Sequence, residues 1–443
     1  MQIINASVVV LKNRPMSAQE REGKDRAAKS LPEKYSVFIE VIGDDEGEVF
    51  AGLGEARPTR ASDETLASAT RYARKMARCL VGRTLRKDSE SPVREVNDIT
   101  DEIICDISGI GNNGIIERRP NPSVCFAAEC AVLDLMARHR GVSITELDAC
   151  PNKGSVQRNV FNDPLRDIEK LLPGIDDGKQ LQGWLRLGRR ISGDEAAALI
   201  NSLMFTLGDG SPDLSGIILN AGQRWSPAEW EEFCDSLNLT DLLAKPNVSV
   251  VVEDPFPEDA DTFYQQAFEK IEGSPIRIML SAPVWGPESI KKLAPYLPHV
   301  DLKVIPQRVG GYHDVLEAER EAQAHGFKGG IFLAGVNGTT NLNTLAMVSL
   351  AGAMCHCRYF STSFRKEDKV RLVYPHAELD DNVIRLPEGP GFAANLCRSG
   401  VRRRLVSINA YDADGSIRAG SARRALLERV YDDRALHPEV SEK

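Results

Sequence analysis

No stretch of this 443-residue chain approaches 18 uninterrupted apolar residues, the length at which a membrane-spanning helix is read from sequence. The opening MQIINASVVVLKNRP alternates like a strand, lacks the long apolar centre of a secretory leader, and is followed by the charged run from Glu20 to Lys29. Neither export nor membrane insertion is expected. Concentrated basic charge is also missing. The formal net charge is -9, and the densest cationic run, Arg402 to Arg404, is short. That run reads as solvated surface and gives a polyanion such as nucleic acid nothing to bind. Nine cysteines, at 79, 105, 125, 130, 150, 234, 355, 357 and 397, make an odd and irregular set. A disulfide framework is therefore not expected, and a reducing cytoplasm fits. Cys355-His356-Cys357 has no second cluster at ligand spacing, so it reads as buried or half-buried thiols rather than a metal site. No Gly-rich phosphate fingerprint follows an early strand, which counts against an open doubly wound sheet.

What the chain does have is apolar material throughout. Hydrophobic residues make up 42% and charged residues 27%, enough for large cores in a chain too long for one ordinary domain. Residues 1–152 read as an α+β unit. Ile3 to Leu11, Tyr35 to Ile42 and Glu48 to Leu53 form a three-stranded meander. Helices follow from Asp63, with Leu66, Ala69, Ala73 and Met76 on one stripe, from Val93 to Ile107, and from Ser123 to Arg140 before Gly141. The last of these is apolar enough to be a buried docking helix.

Residues 153–385 alternate short apolar strands with amphipathic helices. The strands are Val156 to Phe161, Gly183 to Leu187, Gly216 to Asn220, Ser249 to Glu253, Ile276 to Ser281, Val300 to Ile305, Gly329 to Ala334, and one near His356 to Phe360. Spacings of this size suit a strand plus a returning helix, and about eight such units close a parallel (β/α) barrel. Ser226 reads as the N-cap of a helix and Gly326 as the residue that ends another. The tail, 386–443, reads as a crossover back to the first domain.

In such a barrel the chemistry sits at the C-terminal ends of the strands. Four ends have character: Asn220 in GIILNAGQRWS, Glu253 in VVVEDPFPED, Ser281 in IMLSAPVW and Lys303 in VDLKVIPQRVGG. The first, second and fourth of these segments resemble the third, fourth and sixth strand ends of the enolase superfamily, and PSVCFAAECAVLDLMARHRGVSITEL resembles its cap helix. Within the superfamily, FLAGVNGTTNLNTLAMVSLAGA, with Gly335, Thr340 and Asn341, is most similar to the 3-methylaspartate ammonia-lyases.

The resemblance implies an enolase-type barrel with an N-terminal α+β capping domain. It also implies a reaction in which a base removes the proton next to a substrate carboxylate, Mg²⁺ stabilises the enediolate, and an amine leaves. The family's metal ligands are carboxylates at the ends of strands three, four and five. Here those positions are Asn220, Glu253 and Ser281, so the Mg²⁺ site is degenerate, and one remaining carboxylate makes any metal weak. The family's sixth-strand lysine would fall at Ile305, whereas Lys303 lies two residues earlier and shares its side of the strand. Lys303 is thus either a catalytic base or a buried partner of Glu253. Arg186 remains charged at neutral pH; it either grips a substrate carboxylate or pairs with Glu253. Arg57 and Arg60 in the loop GEARPTR, and Asn337, Thr339 and Thr340 after strand seven, are candidate substrate contacts, while His313 reads as surface.

Two functions stay open: an ammonia-lyase-like enzyme on a small carboxylate or amino acid, and a non-catalytic relative that binds a ligand or a partner subunit. A homo-oligomer is expected by analogy.

Overall fold

A computed structural model describes residues 1–12, 35–109, 116–147, 159–161, 166–167, 183–187, 191–207, 214–243, 248–336, 338–361, 372–374, 378–380, 383–385, 388–412, 415–417, 420–421, 424, 426 and 428. The first strands run Gln2–Lys12, Tyr35–Asp45 and Glu48–Ala56. They form an antiparallel sheet that Leu405–Asp412 and Gly415–Ile417 extend beyond the first strand, giving five strands rather than the three read from the sequence. The added strands come from the far end of the chain, where local pattern alone does not name a partner.

Helices Leu66–Leu80, Pro92–Ser108 and Pro122–Arg140 complete the cap. The first begins at a capping box in which Thr65 and Ser68 satisfy each other's backbone N–H. Helix Pro122–Arg140 is buried along almost its whole length and lies directly on strand Glu48–Ala56. The sequence permits this approach because Gly52 and Gly54 face Ala127 and Ala131. A Cβ on Gly54 would sit 1.9 Å from the Ala127 carbonyl oxygen, and one on Gly52 would sit 2.1 Å from that of Ala131.

The second sheet has eight strands in chain order: Arg166–Asp167, Gly183–Leu187, Leu214–Asn220, Ser249–Glu253, Ile276–Leu280, Val300–Val304, Ile331–Ala334 and Cys357–Ser361. All its pairings are parallel. The first strand corrects the sequence reading. Asn159–Phe161 instead pairs antiparallel with Val383–Arg385 in a separate three-stranded sheet, and the strand that enters the barrel sheet is only two residues long. An apolar run reports strand character but not its neighbour, and two residues are too few to register as a run. Helix Pro227–Ser236 starts at Ser226, which with Glu229 forms a second capping box.

Buried carboxylates fasten the cap to the barrel at the starts of two barrel helices. Glu129, on helix Pro122–Arg140, accepts from the N–H of Tyr312 at 2.7 Å and of His313 at 3.3 Å, where helix Tyr312–Ala324 begins. Gly310, at φ +96°, turns the chain there, and a Cβ on Gly311 would come within 2.9 Å of the Glu129 carboxylate. This accounts physically for the Gly-Gly pair. Arg119 compensates the buried charge: it pairs with Glu129, with Asp101 at 2.8 Å and with Asp314 at 2.8 Å.

Glu55 plays the same part at helix Asn341–Ala353. It accepts from Thr340 N–H at 3.0 Å, from the Thr340 hydroxyl at 2.6 Å and from Asn343 N–H at 3.3 Å. Helix N-termini present unsatisfied N–H groups and positive potential, so these carboxylates bind where the backbone needs an acceptor.

The glycine contact gives a sharp expectation. Gly54→Ala would force a methyl into backbone atoms that have nowhere to move, so chemical denaturation should show a loss of about 3 kcal/mol or more. A loss below about 0.5 kcal/mol would mean the helix does not lie flush on the strand.

Candidate functional site

Strand alternation stacks the inward side chains of the barrel in levels. The middle level is apolar: Trp184, Ile218, Val251, Met279 and Phe332 form a cluster separate from the main core, with Trp184 and Phe332 edge to face at 5.2 Å. Toward the strand N-termini, Arg277 donates two 2.6 Å hydrogen bonds to the buried Asp301. Two residues onward along four of the strands stand Arg186, Asn220, Glu253 and Ser281, at the C-terminal mouth. Lys303, two residues beyond Asp301 and in register with Phe332, starts one level deeper and reaches Glu253 with its side chain.

Glu253 is the centre of that level. It is 3% exposed, and Lys303 Nζ donates to its two oxygens at 2.8 and 2.9 Å. Burial pushes the Glu253 carboxyl up, but the Lys303 charge and hydrogen bonds, the Arg186 charge and a hydrogen bond from Asn220 outweigh it and hold the group below its ordinary value. Lys303 therefore sits in the ion pair that was one of its two readings. Asn220 adjoins Glu253 in register, and its Oδ1 is buried with no hydrogen-bond partner.

Sequence reasoning missed two further members. Asp254, at φ +48°, turns its carboxylate under the fifth strand end, accepting from Ser281 N–H at 2.7 Å and Ala282 N–H at 3.0 Å. Burial, with the adjacent Glu253 charge, pushes it up to about 6. Arg308 donates to the Ser281 carbonyl. Its guanidinium lies 5.5 Å from the Trp285 ring centroid. Burial lowers its pKa against the pull of Asp254 and Glu253. The available signal for Asp254 was its place between Glu253 and Pro255. For Arg308 it was proximity to Gly310-Gly311, although strand parity stops at Pro306.

These donors do not suit Mg²⁺. The only anionic oxygens at the three strand ends belong to Glu253, and both are engaged by an ammonium group. Asp254 is tied to two backbone N–H groups, and Ser281 supplies a neutral oxygen. A divalent ion about 4 Å from Lys303 Nζ would be repelled by about 8 kcal/mol at an effective dielectric of about 20. Hard divalent ions need anionic oxygen to offset dehydration, and among the described residues no group of three or more His, Cys, Asp or Glu side chains could hold a metal.

The described ones among the other sequence candidates have partners of their own. Arg57 is 1% exposed; its guanidinium donates to the Tyr35 carbonyl at 2.7 Å and its N–H to Gln307 Oε1 at 2.8 Å, joining cap to barrel. Thr340 binds Glu55, and the Thr339 hydroxyl donates to the Val336 carbonyl at 3.1 Å. Asn337 and the Arg60 side chain lie outside what the structure describes. His313 is half-buried under the cap instead of on open surface, and its N–H donates to Glu129. No described helix is long and apolar enough to cross a membrane.

No family model matches the chain, and no curated protein matches it by sequence. Solved structures do. A dipeptide epimerase from Enterococcus faecalis V583 is 16% identical with a TM-score of 0.65, covering 89% of this chain and 99% of that one. A dipeptide epimerase from Cytophaga hutchinsonii, complexed with Mg and D-Ala-L-Val, is 15% identical with a TM-score of 0.66, covering 93% and 100%. The muconate lactonizing enzyme of Pseudomonas putida is 13% identical with a TM-score of 0.64, covering 92% and 100%. This chain has the enolase-type fold. Its barrel and α+β cap are the architecture of those epimerases and lactonizing enzymes.

The environment of Asp254 makes a pH prediction. Its folded-state pKa is raised, so its share of stability is present in full below about pH 4 and is lost as pH rises through about 6. Asp254→Asn keeps an oxygen for Ser281 and Ala282 but removes the charge. Relative to wild type, the variant should gain up to about 3 kcal/mol between pH 4 and 7.5, read from urea midpoints at each pH. A pH-independent difference would refute the assignment.

Proposed function

We propose that the C-terminal mouth of this barrel binds a small carboxylate or the carboxylate of an amino acid. The observation that carries this reading is the charge inventory. Glu253 and Asp254 interact with three cationic side chains, Lys303, Arg186 and Arg308, which leaves an excess of one positive charge in a recessed site. An anionic ligand offsets that excess at low desolvation cost. Arg186 is half-buried and the Lys303 side chain is 19% exposed, so both have a face toward the mouth. A planar guanidinium with a neighbouring ammonium suits a carboxylate.

The finer reading is an elimination like that of the methylaspartate ammonia-lyases, with Lys303 as the base. The fold and the inward reach of Lys303 support it. The ion pair opposes it: Lys303 Nζ already donates to both Glu253 oxygens, and Glu253, held below its ordinary value, is a poor acceptor for the proton a base would have to shed. The geometry therefore supports ligand binding ahead of lyase chemistry, and a non-catalytic carboxylate-binding relative is the reading it favours.

Calorimetry with 3-methylaspartate, glutamate and succinate, against their uncharged amides, tests the proposal. At least one acid should bind where its amide does not. Arg186→Gln should weaken it at least about tenfold, the worth of a charge-assisted hydrogen bond. Affinity should fall as pH rises through about 6, because Asp254 then gains a negative charge. Silence from all three acids would remove the binding reading. Exchange of the substrate's α-proton in D₂O, abolished by Lys303→Ala, would instead establish the lyase-type step.

A further inference from the structure

We propose that a cavity on the flank of the barrel, at the opposite end from the mouth, binds a small organic ammonium ion with an aromatic body. The cavity has a volume of about 460 Å³, within the range of small-molecule sites. It lies between the last turns of helix Asp261–Ile271 and the turn that leads into strand Val300–Val304, beside the start of strand Ile276–Leu280. Part of its lining is an aromatic wall. Phe268 and His299 stack with ring centroids 5.1 Å apart and planes within 21° of parallel, and Tyr296 lies 6.1 Å from the same Phe268 ring. Such a wall offers π faces to an apolar ring or to a cation.

The charge of the lining selects between the two signs. Glu269 and Glu272 line the cavity and are exposed. Helix Asp261–Ile271 also ends here, and the C-terminal end of a helix carries negative partial charge. Lys270, the basic residue of its last turn, would oppose that charge, but its ammonium donates to Asp235 at 2.6 Å. Among the described residues the lining holds one permanent cation, Arg277. Its guanidinium is already matched by the two 2.6 Å hydrogen bonds it donates to the buried Asp301. An anion would therefore meet two carboxylates and a neutralised guanidinium, whereas an ammonium ion meets two carboxylates, a helix C-terminus and aromatic faces. The cavity shares no residue with the mouth, so the inference stands apart from whether the mouth takes a carboxylate.

Calorimetry at about pH 8 and about 20 mM salt, where exposed charges are little screened, tests the proposal with four probes. Phenethylammonium should bind saturably, one per chain, with a Kd in the millimolar range. 2-Phenylethanol should bind at least about threefold more weakly and phenylacetate more weakly again. Glu269→Gln/Glu272→Gln and Phe268→Ala should each weaken phenethylammonium at least about threefold. Glu46→Gln/Glu48→Gln, which removes the same charge from an exposed turn of the cap, should leave its affinity unchanged. Absence of phenethylammonium binding would overturn the proposal, as would equal binding of the alcohol or the acid. So would a Glu269→Gln/Glu272→Gln protein that binds the amine as wild type does. Tighter binding of Nα-acetyl-lysinamide, the fourth probe, would assign the cavity to a lysine of a partner protein and overturn the small-molecule reading. If Phe268→Ala does not fold, the exposed carboxylate variant decides on its own.

Discussion

The orientation of the cap over the barrel depends on buried acids placed at the starts of barrel helices. A helix start offers N–H groups with no intrahelical acceptor, and in this protein the acceptors come from another domain. Glu129 reaches helix Tyr312–Ala324 and Glu55 reaches helix Asn341–Ala353. Each acid bears a burial cost: Glu55 is raised, and Glu129 is raised to about 7. Arg119 offsets part of that cost for Glu129, against the added repulsion of Asp314 and Asp101, and the Ser36 hydroxyl with the Arg57 charge help to offset it for Glu55. Because the carboxylates sit on a buried helix and on the edge strand of the cap sheet that packs against it, they fix direction as well as contact. The loop carrying Arg57 is held through the same seam, with Gln307 bridging Arg57 N–H and the Glu55 carbonyl.

This seam also marks what could be read from the sequence. Strand ends were legible because alternation is a local signal, and the fourth strand ends at Glu253 as expected. The ion pair between Lys303 and Glu253 was legible as one of two options, since both faced inward from strands of one sheet. Other features needed the third dimension. Thr340 looked like a ligand contact because it follows a strand at the mouth; its partner, Glu55, lies 285 residues away. Asp254 escaped because a left-handed residue breaks the parity rule at the point where chemistry begins. Arg308 sits beyond Pro306, where strand periodicity no longer applies.

The mouth joins an enolase-type frame to its own set of charges. In the enolase-type fold the strand ends converge whatever residues they carry, so position is set by backbone and charge by side chain. Here neutral Asn220 and Ser281 flank Glu253, and Arg308 approaches Ser281 from the loop after the sixth strand. A second acid, Asp254, follows Glu253 directly and serves the backbone of the fifth strand end.

The apolar level of Trp184, Ile218, Val251, Met279 and Phe332 lies between two ionic layers, Arg277 with Asp301 on one side and Lys303 with Glu253 on the other. It works as an electrical insulator across the barrel's waist. With water kept out of that plane, the lower pair can staple the strands together regardless of which charges are exchanged above. The barrel can then be re-equipped at one end without being rebuilt at the other.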